Sequence, residues 1–421
     1  MPVAHLPERN WPRAAALHLG VRAKYFAESW AGLKPFLLSS LNGYPESGDP
    51  RGPAIGGGTA LGIKLLWTLA AFNRQHPLLA ALYRFSGTRF VANKAHEKLY
   101  ERVLQACRSA PTPRRDMPLP EFDWRTRSPA EFQKEFVDRP HPVVLRGFAA
   151  DSDAVRDWSF HAFMERFGEE QVLLTTEKLD GEQGSLKAVE SSKAYLHNNE
   201  ILFRRHPELE NALPVDRLES FLPPMRASYL HLFLGREGTG TPFHSAANWN
   251  FFFNIEGQKR WWFVDPRHGF LIYPFAAMGH GAIFSLCAFP DEYDREFFPA
   301  FKYCPIFEVT LDPGDVLFNP PWWWHAVRNV ADTTVAVASR WLPHGQAGTR
   351  LRSPEEDYDI DRMRSWLYFA GFAGWPHLQG VLKTPSPSIS DLMTLREKRG
   401  RFTHLQRKFS TEPVFGMRHR Y

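Results

Sequence analysis

Apolar and polar residues alternate in short runs through the second half of the chain, and Gly, Pro and Asp close most of the runs. Residues 250–255 set Asn, Phe, Asn against Phe, Phe, Ile, the pattern of a strand with one face toward a polar cavity and the other in a packed layer. Glu256-Gly257-Gln258 reads as a short turn whose glycine takes positive φ, so 259–264 is expected to return as the second arm of a hairpin. That would place Lys259 on the strand opposite Asn250. Further on, Asp312-Pro313-Gly314-Asp315 is a turn, 316–319 a strand, and Pro320-Pro321 a stop before Trp322-Trp323-Trp324-His325. Two more strands follow at 327–330 and 333–341, the second rich in β-branched residues.

Upstream, Ser128-Pro129-Ala130-Glu131 has the form of a helix start, with a serine cap and an acid three residues on. A strand at 142–148, a helix at 158–167 and a strand at 171–176 come next. The polar stretch 178–199 reads as a loop and short hairpin able to cover a cavity mouth, 202–224 as a short helix and proline-rich turn, and 229–234 as the strand leading into Thr241. Apolar stripes at 37–41, 61–71, 78–85 and 92–107 have helical spacing, and 109–120, with its prolines and arginines, reads as a linker. After Pro343, 355–372 and 388–399 again have helical spacing. The expected organisation is a helical extension over 1–115, a β domain over 116–345 and a helical region with a basic tail over 346–421.

Composition narrows the classes. At 421 residues, with 43% hydrophobic and 14% aromatic content, the chain has ample material for a sizeable core. Cys107, Cys287 and Cys304 are widely spaced and odd in number, which gives neither a disulfide framework nor a C-x-x-C metal site and suits a reducing, cytoplasmic setting. The first thirty residues interleave charge with apolar residues and carry no secretory pattern. Residues 54–72 come nearest to a membrane span, yet three glycines and Lys64 interrupt them, so a loop and buried helix are expected and no membrane association. Gly56-Gly57-Gly58-Thr59 lacks the ending of a phosphate loop. A net charge of +5 is modest for this length, and no recognition motif accompanies the basic tail, so no nucleic-acid partner is expected.

Candidate chemistry sits in two places. His244 and His325 each stand at the edge of a short strand that mixes polar and aromatic residues, the way a small antiparallel barrel builds a metal site in its mouth. Either alone would read as a hydrogen-bonded core histidine. Lys259 alone would read as a solvated turn lysine, and Asn250 as a residue satisfying backbone groups. Trp322 to Trp324 read as barrel packing, with one of them available to wall a pocket. The insert 267–305 is aromatic and partly acidic, with Asp291, Glu292, Asp294 and Glu296 forming either a substrate-facing patch or a solvated loop.

Taken together, Thr241, His244, Asn250, Lys259, Gly314, Asp315, Pro320, Trp323, Trp324 and His325 resemble, in register, the cupin-like JmjC group of iron(II) and 2-oxoglutarate dependent oxygenases, nearest to the asparaginyl-hydroxylase type. The resemblance spans roughly 119–343. It implies a mainly β fold with flanking helices around a double-stranded β-helix, the jelly-roll or cupin core. It further implies His244 and His325 as iron ligands, Lys259 with Thr241 and Asn250 for 2-oxoglutarate, O2 as oxidant, and a homodimer formed through terminal helices. A dicarboxylate with one end on a metal needs a fixed cation for the other end, the part suited to Lys259.

One position departs from the family pattern. The third iron ligand, a carboxylate two residues after the first histidine, falls on Ala246. Three outcomes follow. Chloride or bromide fills the vacancy and a substrate radical collects halogen, as in the 2-oxoglutarate halogenases that carry a small residue there. Alternatively water or another group, Asn248 being nearest, completes the shell of a hydroxylase. In the third, the chain is a metal-poor binding protein on an oxygenase scaffold. The substrate stays open among a small molecule, a carrier-tethered group and a peptide.

Overall fold

Alternating strands of this kind must bury one face each, and here they do so in two sheets laid against one another. The computed structural model describes residues 101–110 and 113–343, with breaks at 176–180, 192–193, 223–224, 246–248, 277–282, 286, 294, 296–297 and 322, together with positions 53, 58–59 and 98–99. Apart from those isolated positions, the helices expected before residue 98, the stretch 54–72, and the C-terminal helices and basic tail lie outside the described residues. Ala246, Asn248 and Trp322 lie outside them as well. Among the described residues no helix is long and apolar enough to cross a membrane.

In chain order the strands are β1 (Met117–Pro118), β2 (Val143–Leu145), β3 (Gln171–Thr175), β4 (Gly181–Ser185), β5 (Leu196–Asn199), β6 (Met225–Arg236), β7 (Gly240–Ser245) and β8 (Trp249–Glu256). They continue as β9 (Lys259–Val264), β10 (Pro274–Ala276), β11 (Ile283–Ser285), β12 (Phe307–Leu311), β13 (Val316–Asn319), β14 (Trp324–Asn329) and β15 (Thr333–Pro343). One sheet runs β1-β12-β9-β14-β7-β11-β10 and the other β2-β13-β8-β15-β6-β5, with β3 and β4 paired apart. Phe252 and Leu317 from one sheet meet Trp261, Phe263 and Val327 from the other in a shared interior cluster. This is a double-stranded β-helix, a jelly-roll barrel whose inner faces make the core.

The hairpin expected from residues 250–264 does not form. β8 hydrogen-bonds to β13 and β15, whereas β9 hydrogen-bonds to β12 and β14, so the two strands belong to opposite sheets. The Glu256-Gly257-Gln258 turn is a corner between layers. Both faces of β8 are buried, Phe251, Phe253 and Ile255 against outer elements and Phe252 in the interior, so each face finds cover only in the middle of a sheet. Gly257 has φ +70, and a Cβ there would come 2.1 Å from the Thr333 carbonyl oxygen, so the corner requires glycine on both counts.

The outer face of the six-stranded sheet is covered by α1 (Pro129–Phe132), α2 (Asp153–Asp157), α3 (Phe160–Phe167) and α4 (Ile201–Arg205) with their connections. Ser128 and Glu131 cap α1 reciprocally, as the sequence pattern implies. The seven-stranded sheet is covered by the 266–306 insert and the helical residues 101–108. Asp291 and Glu292, read as part of an acidic patch, pair with Arg328 of β14, whose guanidinium also lies 4.3 Å from the Phe289 ring centre. These acids fasten the insert to the barrel. All three cysteines are buried in this same layer, and burial pushes each thiol above its ordinary range, to about 11 for Cys107.

Asp315 ties the 312–315 turn to the opening strand of the barrel. Its carboxylate accepts from the Gly147 and Asp312 amides, each at 2.9 Å, and from Arg146 at 2.6 Å. The Arg146 side chain is 36% exposed, so the ion pair is partly screened and the two amides carry most of the effect. Replacing Asp315 with alanine is expected to destabilise the domain by about 2–3 kcal/mol, through two orphaned, part-buried amides and the loss of the Arg146 pair. Urea unfolding of wild type and variant measures this, and a loss below about 0.5 kcal/mol would contradict it.

Candidate metal centre and co-substrate pocket

Thr241 and His244 are three residues apart, an interval that on a regular strand turns side chains to opposite faces. The β7–β14 ladder resolves this with an irregularity. Thr241 stands opposite Val327 and His244 opposite His325, so three steps on β7 span two on β14. The extra residue is a bulge, and it turns both Thr241 and His244 toward the barrel interior. His244 and His325 are thereby brought face to face on adjacent strands, with ring centroids 4.1 Å apart and planes inclined at 57°.

The surroundings choose each tautomer. His244 Nδ1 lies 2.9 Å from the Pro242 carbonyl oxygen, and His325 Nδ1 lies 2.9 Å from that of Trp323. A carbonyl only accepts, so each Nδ1 carries the hydrogen and each Nε2 carries the lone pair. Backbone carbonyls thus do for this pair what outer partners do for metal-binding imidazoles in general. Asn319 Nδ2 sits 3.2 Å from the same His325 Nδ1, which already carries a hydrogen, so the reversed amide, with Oδ1 toward the ring, is the chemically consistent one. Trp261 stacks along His325 at 5.8 Å between centroids and fixes its plane.

Burial holds both rings neutral. The His244 value falls to about 4, first through desolvation, with the Arg340 charge adding to the fall and the carbonyls of Pro242 and His325 opposing it. The His325 value falls well below the ordinary imidazole range through burial, with His244 and Arg340 contributing. Among the described residues no group of three His, Cys, Asp or Glu side chains is placed to hold a metal ion. Two neutral imidazoles with centroids 4.1 Å apart nevertheless offer a divalent ion a two-nitrogen donor set, leaving its other positions to exogenous ligands. Asn250 Oδ1, buried and accepting no hydrogen bond from the described residues, adds a polar atom on the facing sheet.

Lys259 lies deeper in the same interior. It stands opposite Asn329, four residues along β14 from His325, or about 13 Å of strand. Its ammonium is fully buried, donating to Asn329 Oδ1 and, at 3.1 Å, to Thr334 Oγ1, with the Tyr195 ring centre 5.7 Å away. Burial lowers its pKa to about 7, because these partners are neutral and only partly replace water. Thr241 reaches the same pocket through a hydrogen bond with the Tyr195 phenol. Lys259 and Thr241 are therefore together. Asn250 is not with them: it stands on β8 opposite Asn319 and Arg340, beside the imidazoles, and the placement of Lys259 opposite Asn250 is corrected accordingly.

Tyr195, Asn329, Thr334, Asn319 and Arg340 went unread in the sequence. Strand alternation carried a signal for most of them. From His325, steps of two lead inward through Val327 to Asn329, and Thr334, Ala336, Ala338 and Arg340 likewise share the inner face of β15.

Residues 185–346 match a family described as the cupin-like domain. The chain is 22% identical over 259 residues to the Arabidopsis thaliana arginine-specific demethylase JMJ20, covering 50% of this chain and 54% of that protein. It is 34% identical over 113 residues to human HSPB1-associated protein 1, covering 26% of this chain and 23% of that one. It is 28% identical over 117 residues to the zebrafish (Danio rerio) 2-oxoglutarate and iron-dependent oxygenase JMJD4, covering 27% and 26%. The chain thus spans about half the length of the first of these and about a quarter of the other two.

The neutral imidazoles fix an acid response. Their folded values lie below the ordinary 6.5, so unfolding takes up protons as pH falls from about 6.5 toward 4. Stability of the metal-free protein should therefore fall through that window, by up to about 1.4 kcal/mol per pH unit for each proton. Urea midpoints for wild type and His244→Phe compare the slopes, and equal slopes would contradict the assignment.

Proposed function

We propose that the chain is an iron(II) and 2-oxoglutarate dependent oxygenase with a two-histidine site, acting on a C–H bond of a peptide or small-molecule substrate. The observation that carries this reading is the His244–His325 pair 4.1 Å apart in the same barrel interior as the buried Lys259. When bound, iron(II) supplies the oxygen chemistry in which 2-oxoglutarate leaves as succinate and carbon dioxide while the substrate is oxidised. His244 and His325 hold the ion through Nε2 and keep their hydrogens on the Pro242 and Trp323 carbonyls. Lys259 and Thr241 receive the distal carboxylate, with Asn329, Thr334 and Tyr195 steadying the ammonium. Trp261, Phe252 and Phe263 line the space between and exclude water. The names of the demethylase and oxygenase relatives support the same class.

Hydroxylation is the first reading of the outcome. Halogenation is the second, and the observation in its favour is Ala246, which supplies no carboxylate to the metal. Purified protein loaded with iron(II) should form succinate from 2-oxoglutarate, and His244→Ala or His325→Ala should reduce this at least about a hundredfold. Product masses that are identical with and without chloride or bromide would exclude halogenation; absence of both succinate formation and iron binding would return the chain to the binding-protein class.

Lys259 makes co-substrate binding depend on pH. In the ligand-free pocket its ammonium is only partly populated near pH 7, and a dianion draws it to the charged form. Binding above pH 7 should therefore take up close to one proton, with affinity falling about tenfold per pH unit. Calorimetry in buffers of different ionisation enthalpy reads the uptake, and Lys259→Met should abolish it together with binding.

A further inference from the structure

His325 is held from both sheets of the barrel. Trp261 and Phe263 lie along its ring at 5.8 and 6.0 Å between centroids, and the Trp323 carbonyl oxygen lies 2.9 Å from its Nδ1. β9, which carries both aromatic residues, and β14 belong to the seven-stranded sheet. A further contact crosses the interior. The side-chain amide of Asn319, at the end of β13 in the six-stranded sheet, reaches within 3.2 Å of the same Nδ1.

Packing does not account for that amide. Val316, Leu317 and Phe318, the rest of β13, are apolar and buried, and Asn319 is itself only 4% exposed. A leucine would complete the strand, whereas a buried carboxamide is costly unless it is bonded. Its one side-chain hydrogen bond among the described residues goes to His325. The Trp323 carbonyl already requires a hydrogen on Nδ1, so the amide can answer only with its oxygen, and one N–H is shared between two acceptors. Acceptors in two directions fix the rotation of the ring and raise the electron density at Nε2.

We propose that Asn319 is a positioning residue for His325: its side-chain oxygen, reaching across the barrel, sets the angle at which the imidazole presents Nε2 and makes that nitrogen the better donor. Its bearing on a metal rests on the iron reading; the hydrogen bond itself belongs to the metal-free protein. His244 supplies the internal comparison, because its Nδ1 is matched by the Pro242 carbonyl of its own strand.

Nitrogen NMR of metal-free, full-length protein carrying isotope-labelled histidine reads the bond directly, with His244→Phe and His325→Phe assigning the signals. Asn319→Leu should shift the His325 Nδ1 signal and speed exchange of its hydrogen, while the His244 signals move less. Cobalt(II) affinity should fall about tenfold in Asn319→Leu and recover in Asn319→Asp, which keeps an oxygen acceptor against the imidazole. Equal shifts of the His244 and His325 signals would mark general loosening of the barrel and overturn the proposal. A folded leucine variant with His325 signals and cobalt affinity unchanged overturns it as well, as does a cobalt loss that aspartate does not reverse. Should the leucine variant fail to fold, neutron diffraction from wild-type crystals decides: the Asn319 oxygen must face a deuterated Nδ1, and the amide nitrogen in that place overturns the proposal. If wild type binds no cobalt(II), the iron reading falls and the metal role of Asn319 with it, while the nitrogen signals still decide the hydrogen bond.

Discussion

The site depends on one irregular stretch of ladder between β7 and β14. Directly opposed residues on antiparallel neighbours bring their Cβ atoms within about 5 Å, close enough for two imidazoles to share an ion. His325 and Val327 face inward by simple alternation, but Thr241 and His244 can share that face only because the bulge absorbs the odd residue between them. One register choice thereby aims a histidine at its partner and a threonine hydroxyl at the Tyr195 side of the deeper pocket. A slip of one residue would turn β7 over and leave His325 alone.

Much of the barrel was legible because period-two alternation is a local property. The strand patterns at 316–319 and 333–341 and the capped helix start at Ser128 needed only neighbours in sequence, and they appear within a residue or two of the expected bounds. The β8–β9 relation was not legible. A tight Gly turn between two strands looks the same whether the arms pair or part, and parting was decided by the cover that β12 through β15 supply from far along the chain. The gathering of all three cysteines in one apolar layer was invisible for the same reason. Separation in sequence says nothing of convergence in space.

The site was half legible. His244, His325, Lys259 and Thr241 stand in motifs and meet inside one barrel, whereas Asn250, expected beside Lys259, stands among the polar residues of the opposite sheet. Tyr195 reaches the pocket from an irregular segment that carries no strand pattern of its own, and only its contacts with Thr241 and Lys259 reveal it. Arg340 lies at the end of a strand whose preceding inward residues are Thr334, Ala336 and Ala338. Ala336 and Ala338 are buried in the interior cluster, and a strand recognised by its β-branched residues gives no local sign that its last inward position carries arginine.

Charge gives the arrangement its direction. Burying an ammonium beside neutral partners costs stability, and the depressed Lys259 value is the signature of that cost. A second cation, Arg340, bears on imidazoles that burial already keeps neutral. Packing alone does not call for the ammonium, since a methionine at Lys259 would fill similar space. The buried Lys259 ammonium becomes favourable when negative charge enters at its end of the interior. The neutral histidines lie in that same interior, their rings 4.1 Å apart, where two imidazole nitrogens could take a metal ion.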